Sequence, residues 1–268
     1  MNFLQSLFLG AVQGLTEFLP VSSSGHLVFF QQIFGVGEEA LAFDIAMHVA
    51  TLIAVVAIFW KELLYMLKKP FSKITLLVVM ATIPTAIIGF AFREFFEYAF
   101  SSGVFLGACF MITGLVLFYA DRSKKLSRCG KDSESMSFMD AIIIGLAQSF
   151  AIIPAISRSG LTISAGLFRG LKKEFALKFS FLMSVPAILG PAVIDARNIT
   201  TQAITSVGIA PLIGGMIAAG VTGYFAIRFM LEFFSRASLR VFSYYLFVLG
   251  GLVLADQLFF GIFFEKII

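Results

Sequence analysis

The sequence predicts an all-α polytopic membrane protein in which six transmembrane helices and two re-entrant helix hairpins form an inverted-topology repeat. Three observations carry this. The 268 residues are 59% hydrophobic and 13% charged, with a mean hydropathy of +0.95, whereas about a quarter of a soluble domain is charged. The apolar residues fall into six runs near the ~20 residues that cross a bilayer, plus two interrupted ones. The second half of the chain also echoes the first at an offset near 135 residues.

In order, the first interrupted stretch is 3–34, broken by Pro, Ser and Gly at 20–25, and spans follow at 41–60, 74–92 and 103–119. The second interrupted stretch is 138–168, broken at 154–160, and spans at 176–194, 209–227 and 241–262 follow it. Irregular backbone at membrane depth is tolerated where it lines a cavity inside the protein. Each interrupted stretch is therefore read as a helix–turn–helix hairpin that enters and leaves by one face, rather than as a pair of kinked full spans. The whole chain, 1–268, is read as one integral membrane domain, with repeat 1 at about 1–134 and repeat 2 at about 135–268. No polar stretch is long enough to build a soluble domain. The opening MNFLQSLFLG lacks a basic n-region and a small-residue cleavage site, so it is read as mature sequence. Cys109 lies in an apolar run and Cys129 in a basic loop, and the two are not expected to pair.

The charges test the layout. With both hairpins re-entrant, the loops at 61–73, 120–137, 169–178 and 228–240 share one side and hold sixteen of the twenty Lys and Arg. That side is cytoplasmic by the positive-inside rule, and both termini face outward. Reading either hairpin as one full span would scatter the bias. The pI near 9.1 thus reflects topology, and nucleic acid is not an expected partner. The repeat shows where Phe43, Met47 and Val49 match Phe179, Met183 and Val185, and where 114–117 matches 251–254. Arg93 and Glu97 likewise match Arg228 and Glu232, pairs read as interfacial i,i+4 contacts. A hairpin and three spans per half invert the second half, and sites in such folds lie near the midplane, where broken helices meet.

Polar residues concentrate in the two breaks. A charged side chain at membrane depth costs roughly 2.5–3.5 kcal/mol on insertion scales and usually marks function. Gln13 and Glu17 share a helix face, Pro20 ends that helix, and Ser22-Ser23-Ser24-Gly25 starts another with His26 just inside it. Farther on, Gln148 precedes Pro154 and then Ser157-Arg158-Ser159-Gly160. Serines at helix starts cap free N–H groups, and those N–H groups bind anions. A guanidinium pairs bidentately with phosphate. Two helix N-termini, an Arg, hydroxyls, a His and a carboxylate suit a phosphate ester or diphosphate. Plainer readings stand beside this: Ser22, Ser24 and Ser159 as ordinary caps, and Glu17–Arg158 as a structural ion pair across the repeat. Asp44 and His48, one turn apart in the first span, either reach the site or bond a neighbouring helix.

At these residues the chain resembles the bacterial undecaprenyl-diphosphate phosphatase family of the bacitracin-resistance type. The resemblance lies in Gln13-x-x-x-Glu17, in the run from Pro20 to His26, and in Pro154-x-x-Ser157-Arg158-Ser159-Gly160. Length, hairpins and span count agree with it. Two departures are visible: Gln13 stands where the family takes Glu or Gln, leaving Glu17 as the only carboxylate, and Ala155 stands where the family often has Gly. The first bears on metal binding, and the second reads as minor.

The resemblance implies hydrolysis of a C55 polyprenyl diphosphate to undecaprenyl phosphate and phosphate, which recycles the lipid carrier of envelope glycans. It further implies dependence on a divalent cation, Mg²⁺ or Ca²⁺, with Glu17 as a ligand, and a site open to the outer face of the bacterial plasma membrane. Ser23 is then the nucleophile or positions it, Glu17 and His26 move its proton, and Arg158 binds the diphosphate. Ser22, Ser24, Gly25, Ser157, Ser159 and Gly160 complete the phosphate site, supported by Gln13, Gln148, Asp44 and His48. Attack by His26 or by a metal-bound water remains open. Inverted repeats with broken helices also build transporters, so a flippase of an anionic lipid is the alternative; nothing suggests the filter of an ion channel. Besides the lipid substrate and bilayer lipids, a homodimer is compatible with the small-residue face of Gly214, Gly215, Ala218 and Ala219, which equally suits internal packing.

Overall fold

A helix in lipid has no water to satisfy a broken backbone, so the apolar runs of this chain stay helical even through Pro84, Pro186 and Pro191. The computed structural model describes residues 1–36, 40–92, 94–96, 105–122, 130–194, 207–234 and 238–264. It contains α1 (Phe3–Phe18), α2 (Ser23–Phe34), α3 (Ala40–Lys68), α4 (Lys73–Ala91) and α5 (Leu106–Arg122). These are followed by α6 (Phe138–Phe150), α7 (Arg158–Phe168), α8 (Lys173–Ile194), α9 (Ile209–Phe233) and α10 (Arg240–Ala255), the last running into a π turn at Asp256–Phe260. An isolated bridge joins Lys131 to Leu171. The Arg93/Glu97 pair and Cys129 lie outside the described residues, and Cys109 is buried and unbonded.

Among the described residues, five helices, α3, α4, α8, α9 and α10 with its π turn, are long and apolar enough to cross a membrane. The sixth expected span is α5, with 17 residues, and the segment 97–104 before it is not described. The first span runs past its expected end, on to Lys68, with a kink at Phe59 (φ −101°, ψ 21°). Large side chains such as Ile87, Phe90, Val193, Phe225 and Leu252 are exposed along these helices. A soluble monomer rarely carries contiguous apolar patches above a few hundred Å². This is a multi-pass membrane protein.

The two interrupted stretches fold as helix–turn–helix units. At 1.5 Å per residue, α1 and α2 are about 24 and 18 Å long and α6 and α7 about 20 and 17 Å, so none crosses the ~30 Å hydrocarbon core alone. In each unit the two arms pack together. The arms also interlock with the other half in a matching way: α1 packs along α9, α6 along α4, and α5 along α10. Lipid offers no hydrophobic drive between helices, so close approach depends on small residues. Gly10 on α1 lies against the backbone of Gly215, and Gly145 on α6 against that of Ala81, where any Cβ would collide. Gly214 and Gly215 meet Phe3 and Ser6 of α1, and Ala219 is fully buried, so this small-residue face is filled internally. The echoed positions Phe43, Met47, Phe179 and Met183 are all buried.

Ties at the basic end hold the second hairpin. Asp140 caps α6 through a Ser137 capping box and receives Lys131 and Arg169, each at 2.8 Å. Backbone bonds of Lys131 to Gly170 and of Lys172 to Lys131, both 2.8 Å, close the same junction. At the start of α1, a capping box between Asn2 and Gln5 does the corresponding work.

Candidate active site

The tips of the two hairpins meet. In the first, Ser22 is the N-cap of α2, its hydroxyl accepting from the Gly25 N–H at 3.2 Å. In the second, Ser157 caps α7 and accepts from the Gly160 N–H at 3.0 Å. Each turn contains a non-glycine residue in the left-handed region: Ser22 at φ 72° and Ala155 at φ 66°. The tips bond each other directly, Ala155 N–H donating to Ser24 Oγ at 3.3 Å and Ser159 Oγ to the Leu19 carbonyl at 3.0 Å.

Glu17, in the last turn of α1, is the hub. Ser23 Oγ donates to its Oε2 at 2.5 Å, and Gln13 Nε2 donates to the same oxygen at 2.9 Å. Arg158 Nη2, from the other hairpin, donates to Oε1 at 2.7 Å. His48 Nε2 stands 3.5 Å from Oε2. Its Nδ1–H is spent on the Asp44 carbonyl at 2.7 Å, so the Nε2 edge faces the carboxylate. Arg158 Nη1 is buried without a protein partner, as are Gln13 Oε1 and Gln148 Oε1. Unpaired buried polar atoms cost about 1–3 kcal/mol each; on the cavity wall, as at Arg158 and Gln148, they are groups prepared for a ligand.

That cavity is about 300 Å³. Its polar wall is Glu17, Ser22, Ser23, Ser24, His48, Thr85, Gln148, Ser157 and Arg158, and its apolar wall comes from Ile45, from the 151–156 turn and from Ala187, Ile188, Pro191 and Ala192 of α8. A charged end joined to a greasy one suits a phosphorylated lipid.

Similarity to known proteins agrees with this geometry. A model of the family described as bacitracin resistance protein BacA matches residues 6–252. The chain belongs to the BacA family. A protein of Carboxydothermus hydrogenoformans named undecaprenyl-diphosphatase is 52% identical over 96% of this chain and 98% of its own length. A Bacillus cereus protein named undecaprenyl-diphosphatase 4 is 42% identical over the same shares. Undecaprenyl-diphosphatase of Halothermothrix orenii is 39% identical over 95% and 98%.

Of the residues expected at the site, Glu17, Ser22, Ser23, Ser24, His48, Gln148, Ser157 and Arg158 line the cavity, and Gln13 stands behind Glu17. Gly25, Ser159 and Gly160 do not line it, and the two glycine N–H groups are taken by the caps. His26 lies off the wall as well: Nδ1 bonds the Ser22 carbonyl and Nε2 the Tyr245 hydroxyl, both at 2.7 Å. Asp44 is buried, with Oδ1 receiving Gln31 Nε2 at 2.6 Å, and supports His48 from behind. Three participants went unread in the sequence. Thr85 bonds Gln148 at 3.1 Å, Thr113 receives the Ser157 N–H at 3.2 Å, and Tyr245 holds His26. Thr85 follows Pro84 inside a span, the one signal that could have singled it out.

Among the described residues no three His, Cys, Asp or Glu side chains cluster. Glu17 and the partnerless amide oxygen of Gln148, both on the cavity wall, are oxygen donors of the kind Mg²⁺ and Ca²⁺ take.

Proposed function

We propose that this chain is a membrane phosphatase that removes the terminal phosphate of undecaprenyl diphosphate, releasing undecaprenyl phosphate and inorganic phosphate. The observation that carries this is the triad Ser23–Glu17–Arg158, drawn from two hairpins and set in a cavity with an apolar wall. The named relatives act on that same lipid class by name.

The residues divide the work. Arg158 holds Glu17 with one nitrogen and offers Nη1 to the diphosphate. Ser23 Oγ attacks the terminal phosphorus as its proton passes to Glu17, and the bond to the bridging oxygen breaks to release undecaprenyl phosphate. Water then hydrolyses the phosphoserine, freeing phosphate and restoring Ser23. Phosphoryl transfer asks a protein mainly for positioning and charge stabilisation, which this short set supplies. Direct attack by His26 has less support, because both of its ring nitrogens are already bonded. A divalent cation, Mg²⁺ or Ca²⁺, would be held by Glu17 with the Gln148 amide oxygen; when bound it would offset charge on the diphosphate.

The matching pairs of helix packing and the echo at about 135 residues support an inverted-topology repeat in one membrane domain. The crowding of Lys and Arg at one end supports a cytoplasmic placement of that end, both termini outside, and a site opening to the outer face of the plasma membrane. The direct assay is phosphate release from undecaprenyl diphosphate by the purified protein in detergent with Mg²⁺ or Ca²⁺. Release that stops on adding chelator is expected. Well-folded protein releasing no phosphate would overturn the enzyme in favour of lipid transport.

A further inference from the structure

We propose that Tyr245 is a positioning residue for the nucleophile: it fixes His26 as a neutral imidazole protonated on Nδ1, and through that ring holds the Ser22 turn that presents Ser23 to Glu17. The hydrogen-bond chemistry sets the direction of every link. A carbonyl oxygen only accepts, so the ring nitrogen 2.7 Å from the Ser22 carbonyl carries a proton. His26 is buried between Tyr245, stacked at 5.7 Å with 9° between planes, and the edge of Phe110 at 5.4 Å. No carboxylate contacts it among the described residues, and a buried cation without a counter-charge is costly. The ring is therefore neutral, Nε2 is an acceptor, and the hydroxyl of Tyr245 donates to it at 2.7 Å.

The far end of this chain of bonds is the strained one. Ser22 sits at φ 72°, a region L-residues with a Cβ adopt at a cost. Its carbonyl accepts twice from the same residue, from His26 Nδ1–H and from the His26 amide at 3.2 Å. The next residue is Ser23, 2.5 Å from Glu17. Because His26 does not line the cavity, Tyr245 and His26 act through the backbone of Ser22 and touch no substrate. Tyr245 comes from α10, so the second half of the chain steadies the nucleophile by this route as it supplies Arg158 by the other.

The experiment uses Tyr245→Phe, which keeps the stacked ring and removes only the hydroxyl. The chain has two histidines, so protein labelled with ¹⁵N-imidazole histidine gives two rings, assigned by comparison with His48→Asn. His26 is expected with Nδ1 protonated and Nε2 bare, the minor tautomer of free histidine, and with Nε2 shifted downfield in Tyr245→Phe. In phosphate release, kcat should fall about 3–10-fold, the worth of one hydrogen bond, with KM within about 2-fold because the phosphate-binding wall is untouched. A protonated Nε2 in the wild type would overturn the proposal without need of any variant. So would a Tyr245→Phe protein with unchanged Nε2 and unchanged kcat. The kinetic arm rests on the phosphatase reading and the tautomer does not. Protein that releases no phosphate yet carries the Tyr245-dependent tautomer would therefore overturn that reading and leave the linkage standing.

Discussion

Ala155 illustrates how much one position can hide. Against the family pattern, alanine for glycine looks like a neutral exchange; in the fold it sits at φ 66°, where a Cβ costs about 1–2 kcal/mol. Its neighbour across the tip contact, Gly25, has no such latitude. A Cβ there would lie 2.7 Å from the Phe110 ring and 3.1 Å from the Ala155 Cβ. Gly25→Ala is therefore expected to destabilise the protein by about 1–3 kcal/mol, the usual cost of overpacking, measured as a lowered thermal midpoint in detergent; an unchanged midpoint would show that the tips do not press together. Glu17, Ser23 and Arg158 were legible because polar side chains in apolar sequence are expensive and need a reason. Thr113 and Tyr245 were not: one reads as a tolerated hydroxyl within a span, the other as an interfacial aromatic, and only packing across half the chain gives them partners.

At the scale of elements, the breaks were more legible than the ends. Pro20 and Pro154 fall together with Ser and Gly, and such clusters break a helix where the lone Pro84, Pro186 and Pro191 do not, so the sequence located both hairpin turns. It stopped the first span at 60 where α3 continues to Lys68, since hydropathy marks the part of a helix in lipid and not the part beyond it. The glycine contacts were also invisible, because Gly10 and Gly145 become informative only beside Gly215 and Ala81. The proposed re-entrant arrangement has a direct consequence. In a Cys129→Ser background, a cysteine placed at exposed Asn2 and one placed at exposed Gln32 should both react with a membrane-impermeant maleimide added outside intact cells, and one at Lys172 should not. Opposite accessibility of the first two would mean that the stretch 3–34 crosses the membrane.

At the scale of the molecule, the candidate site exists only because the tips of the two hairpins meet. Ser23 and Glu17 come from the first hairpin, Arg158 from the second, and the closure of the tips through Ser24, Ala155, Leu19 and Ser159 sets their spacing. The echo in the sequence pointed to two such walls. Which side chains would end on the cavity was settled by rotation of each helix about its axis, and this is why Gly25, His26 and Gly160 lie behind the wall. Groups that act as one unit lose their effect together when any one is removed. The decisive measurement is phosphate release by Ser23→Ala, Arg158→Ala and the double variant. Each single change should lower kcat/KM by about 10³-fold, and the double should fall no more than a few-fold further. A single variant near the wild-type rate, or losses that multiply in full, would contradict a site shared by the two hairpins.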